Sequence, residues 1–272
     1  MTLGSGLRAK LVVTATAVGV VALGAASAMA APVHHSTRIN AGEQSGNWSG
    51  YGTTILETGL TPYSSVGGEW VVPSVSAHTA GQAEDTATWV GIGGNTLSPS
   101  IPVAEPTLIQ TGTEQDVAAD GSTSYSVWWE ILPLPETPIT SMTVSPGDLM
   151  KASITEGSIP ETWTITISDL TKGAGDSFTT TTVYPSLMDT AEWVHEAPTL
   201  IGTNAGVASL AASAPVRFSQ ATLDGAPVNL NSADQIQMTD ASGNVIAQPS
   251  APDSSGSGFQ VCVYSGTTCA TP

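Results

Sequence analysis

The sequence predicts an all-β protein, a lectin-like (concanavalin-like) β-sandwich of two packed antiparallel sheets. Short runs rich in Val, Ile, Thr and Trp recur along the chain, Gly, Pro, Ser and Asp punctuate them, and helical periodicity is almost absent. More than ten such runs in one domain require two sheets packed face to face. The first strands are expected at 66–72 and 86–92, where β-branched and Trp residues cluster, and at 125–132, which carries Trp128 and Trp129. Next comes 142–144, turning at Pro146-Gly147 into 149–154, and then 163–167, where Trp and Ile alternate strictly with Thr. The series continues with 178–184, 191–195, 216–223 turning at Asp224-Gly225, 236–239 turning through 241–244, and 259–264. Gln110 falls in a further Thr- and Gln-rich strand. Residues 31–46 and 249–258 are polar and rich in Ser, Gly or Pro, and read as irregular.

The amino terminus has a different character. Arg8 and Lys10 precede a mostly apolar run over 11–23, and small residues end in Ala28-Met29-Ala30. That is the pattern of a secretory signal peptide over 1–30, too short for a comfortable membrane span. A short irregular leader over 31–46 and one β-sandwich domain over 47–272 complete the expected organisation. The protein is therefore expected to be secreted, extracellular, free of the membrane after signal removal, and monomeric. Removing 1–30 takes the formal charge from −17 to −19, with 4 bases against 23 acids.

So acidic a surface argues against nucleic acid and anionic membranes, since only Arg38, Lys151, Lys172 and Arg217 could supply a basic footprint. It suits an acidic medium, because few bases remain to repel one another once the carboxylates are protonated. Plain solubility accounts for the same charge equally well. The only two cysteines, Cys262 and Cys269, are expected to form a disulfide, as export permits. Such a short loop is worth roughly 2 to 3 kcal/mol, so the core must carry the fold.

Strand parity gives the polar residues a geometry. Trp128 and Glu130 share one face of their strand, Val127, Trp129 and Ile131 the other; Glu192, Val194 and Glu196 share one face, Ala191, Trp193 and His195 the other. An indole and two carboxylates can thus line a concave outer surface, with Trp128 as a platform for an extended peptide.

Five blocks in order, Asn47-Trp48-Ser49-Gly50-Tyr51, Trp89-Val90-Gly91-Ile92-Gly93, Ile109-Gln110-Thr111-Gly112, Trp128-Trp129-Glu130 and Ala191-Glu192-Trp193, resemble the glutamic peptidases, or eqolisins, of peptidase family G1. The resemblance runs from about Trp48 to the end of the chain. It implies an acid endopeptidase, insensitive to pepstatin, acting on protein and peptide substrates with no metal and no cofactor. In such a dyad Glu192 takes a proton from the attacking water and returns it to the leaving amine, while the Gln110 amide donates to the oxyanion. A carboxylate remains basic in acid, where a histidine base does not. Trp89, Trp128 and Glu130 match positions that line or support the cleft.

The chain departs from the familiar fungal members at three points. Gly93 stands where those members carry Asp, and Asp85 or Asn95 would have to supply the missing contact. The leader, with His34 and His35, is expected to be mobile and is far shorter than their basic propeptide, which argues against autoinhibition. The spacings from Trp89 to Gln110 and from Gln110 to Trp128 are longer, so the loops around the cleft differ. His195 is expected to be a partly buried strand residue.

Other classes compete less well. Asp85-Thr86-Ala87 and Asp189-Thr190-Ala191 lack the Gly of pepsin-like loops, no Gly-flanked serine is paired with a plausible His, and His195-Glu196 is not followed by the second His of a zinc peptidase. A glycoside hydrolase using Glu130 and Glu192 across a Trp-lined cleft, or a carbohydrate-binding module needing only the aromatic face, remains open on the same fold.

Overall fold

A computed structural model describes residue 1 and residues 33–39, 44–98, 101–173, 175–202, 205–266 and 269–272. Residues 2–30 of the expected signal peptide, and 31–32 and 40–43 of the leader, lie outside the described residues. We number the principal strands β1 (Val33–His34), β2 (Trp48–Thr54), β3 (Ser65–Val71), β4 (Glu84–Gly93), β5 (Leu108–Val117), β6 (Thr123–Ile131), β7 (Leu149–Glu156) and β8 (Thr162–Asp169). They continue with β9 (Ser177–Val183), β10 (Thr190–Glu196), β11 (Thr199–Leu200), β12 (Val216–Leu223), β13 (Gln235–Thr239), β14 (Val245–Pro249) and β15 (Phe259–Val263).

The front sheet runs β6-β5-β4-β10-β2-β13 and the back sheet β13-β14-β15-β12-β3-β7-β8-β9. Strand β13 belongs to both: Gln235 and Ile236 pair with β2, Met238 and Thr239 with β14. The long ladders are antiparallel, as expected, and one short strand, Gln44–Ser45, joins β13 in parallel.

Alternation explains the layers. In β8 the residues Trp163, Ile165 and Ile167 are buried and the Thr residues between them are partly exposed. The inner faces of both sheets meet in one large apolar cluster that includes Tyr51, Trp70, Val90, Ile92, Ile109, Val127, Trp163, Trp193, Phe218 and Phe259. Buried indoles need partners, and these find them across the sandwich. The Trp193 Nε1–H donates to the Gly67 carbonyl at 2.9 Å, and the Trp70 Nε1–H to the Thr113 hydroxyl at 3.1 Å. Gly68 is small for the same reason: a Cβ there would lie 3.0 Å from the Trp193 ring.

The Asp224-Gly225 turn closes a two-residue hairpin, with both residues at positive φ (49° and 77°) as its twist requires. Segment 142–144 is not a strand. Met142 and Val144 are buried, which reproduces the alternation of a strand, but the Met142 N–H donates to the Ile139 carbonyl in a turn. Strands at 48–54 and 245–249 are not foreshadowed by the sequence pattern, because Gly50, Gly52 and Pro249 lower β propensity there. Cys262 and Cys269 are bonded, with Cα atoms 5.6 Å apart, and tie β15 of the back sheet to the carboxyl-terminal segment.

Candidate active site

The outer face of the front sheet carries the candidate residues. Register places Gly52 (β2), Glu192 (β10), Gly91 (β4), Gln110 (β5) and Glu130 (β6) in one row across neighbouring strands. Residues directly opposite in antiparallel strands point to the same face. Gln110 and Glu192, 82 positions apart in sequence, therefore stand on one surface, two strand spacings or about 9.5 Å apart at the backbone. The next row holds Gly50, Val194, Trp89, Gly112 and Trp128.

The glycines in these rows make room for the indoles. A Cβ on Gly112 would lie 2.5 Å from the Trp89 Cβ, and one on Gly91 would lie 3.0 Å from the Trp89 ring. Trp89 thus lies over the strand that separates Gln110 from Glu192. Trp48, Trp89, Trp128, Leu108, Leu132, Val194 and Ile236 form a second apolar cluster on this side.

Gln110 is fully buried, and its orientation is dictated by its neighbours. Nε2 lies 2.9 Å from the Glu130 Oε2 and 2.9 Å from the His35 carbonyl oxygen, both acceptors, so the nitrogen must face them. Glu130 uses its remaining capacity on the leader, accepting from the His35 backbone N–H at 3.1 Å and meeting the His34 Nδ1 at 2.7 Å.

Glu192 is also fully buried, and neither of its oxygens has a hydrogen-bond partner. Burial pushes its carboxyl well above the usual range and the Glu105 charge adds to this, while the Arg38 charge opposes it. Arg38, whose guanidinium donates to the Asn95 Oδ1 at 2.9 Å, links Asn95 to this end of the row. Burial also raises Glu105, to about 7.

Gly93 cannot hold a side chain as it stands. Its φ is +97°, and a Cβ would lie 2.1 Å from the Thr107 carbonyl oxygen. Asn95 lies at the Glu192 end, its side chain against Gly52, whereas Asp85 sits near the other end of β4 opposite Asp116.

Several residues here were not singled out from the sequence. Glu196 accepts from the Trp89 Nε1–H at 2.8 Å and the Trp48 Nε1–H at 3.3 Å, and it lies 3.2 Å from the His35 Nδ1. Parity had put Glu196 on the face of Glu192, which was signal enough to include it. His35 is the larger surprise. The leader was expected to be mobile, yet His35 is fully buried, stacked on Trp128 with ring centroids 3.7 Å apart and planes 11° from parallel. Its Nε2 lies 3.3 Å from both Glu114 and Glu136. Strand β1 pairs with β11 beside the cleft, fixing the leader's course. His195, expected to be partly buried, is fully buried, meets the Thr88 hydroxyl at 3.1 Å, and burial drives its pKa down to about 4.

Among the described residues, His35, Glu114 and Glu136 form the one trio of metal-ligating groups whose ligand atoms lie within 4.8 Å of one another. Their separations from the ring nitrogen are those of ion pairs. No described helix is long and apolar enough to cross a membrane.

Residues 46–261 match the model of the Peptidase A4 family, a span that takes in all five sequence blocks. The chain belongs to this family. It is the glutamic peptidase, or eqolisin, family that the blocks resemble. Aspergillopepsin-2 of Aspergillus niger is 32% identical over 173 residues, covering 57% of this chain and 56% of that protein. The chain thus aligns with only about half the length of that curated relative.

Scytalido-glutamic peptidase, solved with a transition state analog inhibitor, superposes with a TM-score of 0.62 at 20% identity, covering 80% of this chain and 98% of that one. SCP-B, a member of the Eqolisin family solved with the tripeptide Ala-Ile-His, gives 0.57 at 19% identity with the same coverages. These two show the fold of the chain, the eqolisin β-sandwich.

Proposed function

We propose that this protein is an exported acid endopeptidase working through a Gln110/Glu192 dyad. The observation that carries this reading is the shared row Glu192–Gly91–Gln110–Glu130 on the outer face of the front sheet. Burial favours the protonated form of Glu192 in the closed cleft, so it acts as base once water enters beside it and restores the carboxylate, which takes a proton from that water as it attacks the scissile carbonyl and returns it to the leaving amine. Its lack of hydrogen-bond partners leaves both oxygens available for that water. Gln110 turns its amide N–H toward a peptide carbonyl in this structure, the role an oxyanion donor needs, and Glu130 holds the other amide proton. Trp128 supplies an aromatic surface for the substrate chain. A glycosidase pair of Glu130 and Glu192 is opposed by the register, since three strand spacings, about 14 Å, separate their backbones while such carboxyls sit roughly 5 to 9.5 Å apart.

The test is digestion of a denatured protein at acidic and neutral pH by wild type, Gln110→Ala and Glu192→Gln, with and without pepstatin. Acid-only, pepstatin-resistant cleavage lost in both variants is the expected result. An intact substrate with wild type, or full activity in Gln110→Ala, would sink the dyad.

A further inference from the structure

The chain itself occupies the cleft. Residues 33–39 cross the outer face of the front sheet, and every candidate group on the Gln110 side is engaged by them. The His35 carbonyl accepts from Gln110, the His35 N–H donates to Glu130, and the His35 ring covers Trp128. The Ser36 hydroxyl meets that of Thr199 at 2.9 Å, and farther along the Arg38 backbone N–H donates to the Gly94 carbonyl at 2.9 Å. A peptide carbonyl on the proposed oxyanion donor is where a substrate's scissile carbonyl would lie.

The pocket around His35 has its own chemistry. Carboxylates face both ring nitrogens: Glu196 of β10 at 3.2 Å from Nδ1, with Glu114 of β5 and Glu136, beyond the end of β6, each 3.3 Å from Nε2. Only a doubly protonated imidazolium donates from both nitrogens, so the surroundings specify a cation. Burial alone would lower the His35 pKa, but Glu114, Glu136 and Glu196 together hold it well above the usual histidine value. Both Glu114 oxygens are buried without a hydrogen-bond partner, capacity that His35 does not use up. Against the ring's flat side lies Trp128, as expected of a site that selects a planar cation.

Against the expectation drawn from the leader's short length, we propose that residues 33–39 are a pseudosubstrate: His35 fills a subsite for a cationic side chain, built by Trp128, Glu114, Glu136 and Glu196, next to the carbonyl position at Gln110. The cleft is closed to other peptides while this segment is seated. Once the segment leaves, the same subsite favours substrates carrying histidine, or another cation, at the residue whose carbonyl meets Gln110. This rests on the dyad reading for its catalytic meaning, but the seating of the segment does not.

Two measurements on the full chain test it. Hydrogen exchange compares wild type, His35→Ala and Glu136→Gln at one pH near 5. The amides of residues 33–39 should exchange at least tenfold faster in His35→Ala, with Glu136→Gln in between, while the front-sheet strands stay protected; equal rates in all three would overturn the proposal. The peptide Val-His-His-Ser-Thr-Arg-Ile, and its analogue with Ala at the second His, are then titrated into a His35→Ala, Glu192→Gln double variant. The parent peptide should bind at least tenfold more tightly. Equal affinities, or no binding of either, would overturn the cationic subsite. Selective binding by the double variant, with no hydrolysis by a His35→Ala chain that retains Glu192, would uphold the pseudosubstrate and sink the peptidase.

Discussion

The two faces of the front sheet are made by the same strands and are equally buried, yet they differ in what buries them and in what they contain. The inner face, with Val90, Ile92, Ile109, Val127, Ala191 and Trp193, is apolar and covered by the back sheet. The outer face, one residue out of phase, holds Gln110, Glu114, Glu130, Glu192 and Glu196 among three tryptophans. Its cover is in part the leader. Charge is costly to bury, and the buried carboxylate on the inner face, Glu84 at the start of β4, has both oxygens satisfied by the His78 and Thr79 backbone N–H groups. The outer face keeps buried oxygens without partners on Gln110, Glu114 and Glu192. Burial fraction alone would rank the faces alike, and the inner face has unsatisfied atoms of its own in the Ser49 hydroxyl and the His195 Nε2; unsatisfied carboxylate and amide oxygens are what separate the surface built to receive a ligand from the one built to hold the fold.

The contrast can be broken at single residues. Glu192→Gln should lower kcat by about 10² to 10⁴ while the melting temperature at neutral pH does not fall, since the change removes a buried carboxylate without hydrogen bonds. A substantially less stable variant would make Glu192 a structural residue. On the other face, Trp193→Ala should cost about 3 to 5 kcal/mol in denaturant unfolding, through a cavity and the lost bond to Gly67. Whatever fraction stays folded should keep near-normal kcat; a selective loss of kcat would blur the division. Gln110→Ala should lose about 10² to 10³ in rate and about 1 to 3 kcal/mol in stability, since the Glu130 Oε2 and the His35 carbonyl lose their buried donor.

Glu130→Gln should cost about tenfold, the worth of one charge-assisted hydrogen bond, by freeing the Gln110 amide to rotate. An unchanged kcat would remove Glu130 from the positioning of Gln110. The smallest effect expected is that of pH on stability. Burial raises Asp116 and Glu105 to about 7, and Asp85 and Asp234 to about 6, so from pH 7 down to about 4 the folded chain holds protons that the unfolded chain releases. Their contribution grows as pH falls. His195, lowered to about 4, acts in the opposite direction between pH 6.5 and 4, one group against these four and the likewise raised Glu114, Glu192 and Glu196. The melting temperature should be a few degrees higher at pH 5 than at pH 7.5, and Asp116→Asn should narrow the gap. A lower value at pH 5 would show that His195 or the whole-chain charge dominates.

Much of this was legible in the residues. Parity in 125–132 and 191–196 assigned Trp128, Glu130 and Glu192 to the face away from the core, because side chains in a strand alternate whatever the partner strands are. Order of motifs then paired Gln110 with Glu192, which no local pattern could do, since register between β5, β4 and β10 is a long-range property. What could not be read was the leader. Its polar, Ser-containing sequence looks unstructured because it is held by carboxylates and an indole from elsewhere in the chain, not by its own apolar residues. Segment 142–144 erred in the other direction, with strand-like alternation but backbone hydrogen bonds directed into a turn.

Strand β13 carries a consequence for how the molecule comes apart. Ile236 packs beneath the cleft with Trp48 and Trp89, while Met238, two residues on, packs in the main core. Neither sheet can lose its edge without pulling on the other, so the cleft has no melting transition of its own. Calorimetry should record one peak, and an inhibitor bound at Gln110 should protect Phe259 in the back sheet as firmly as it protects Trp89.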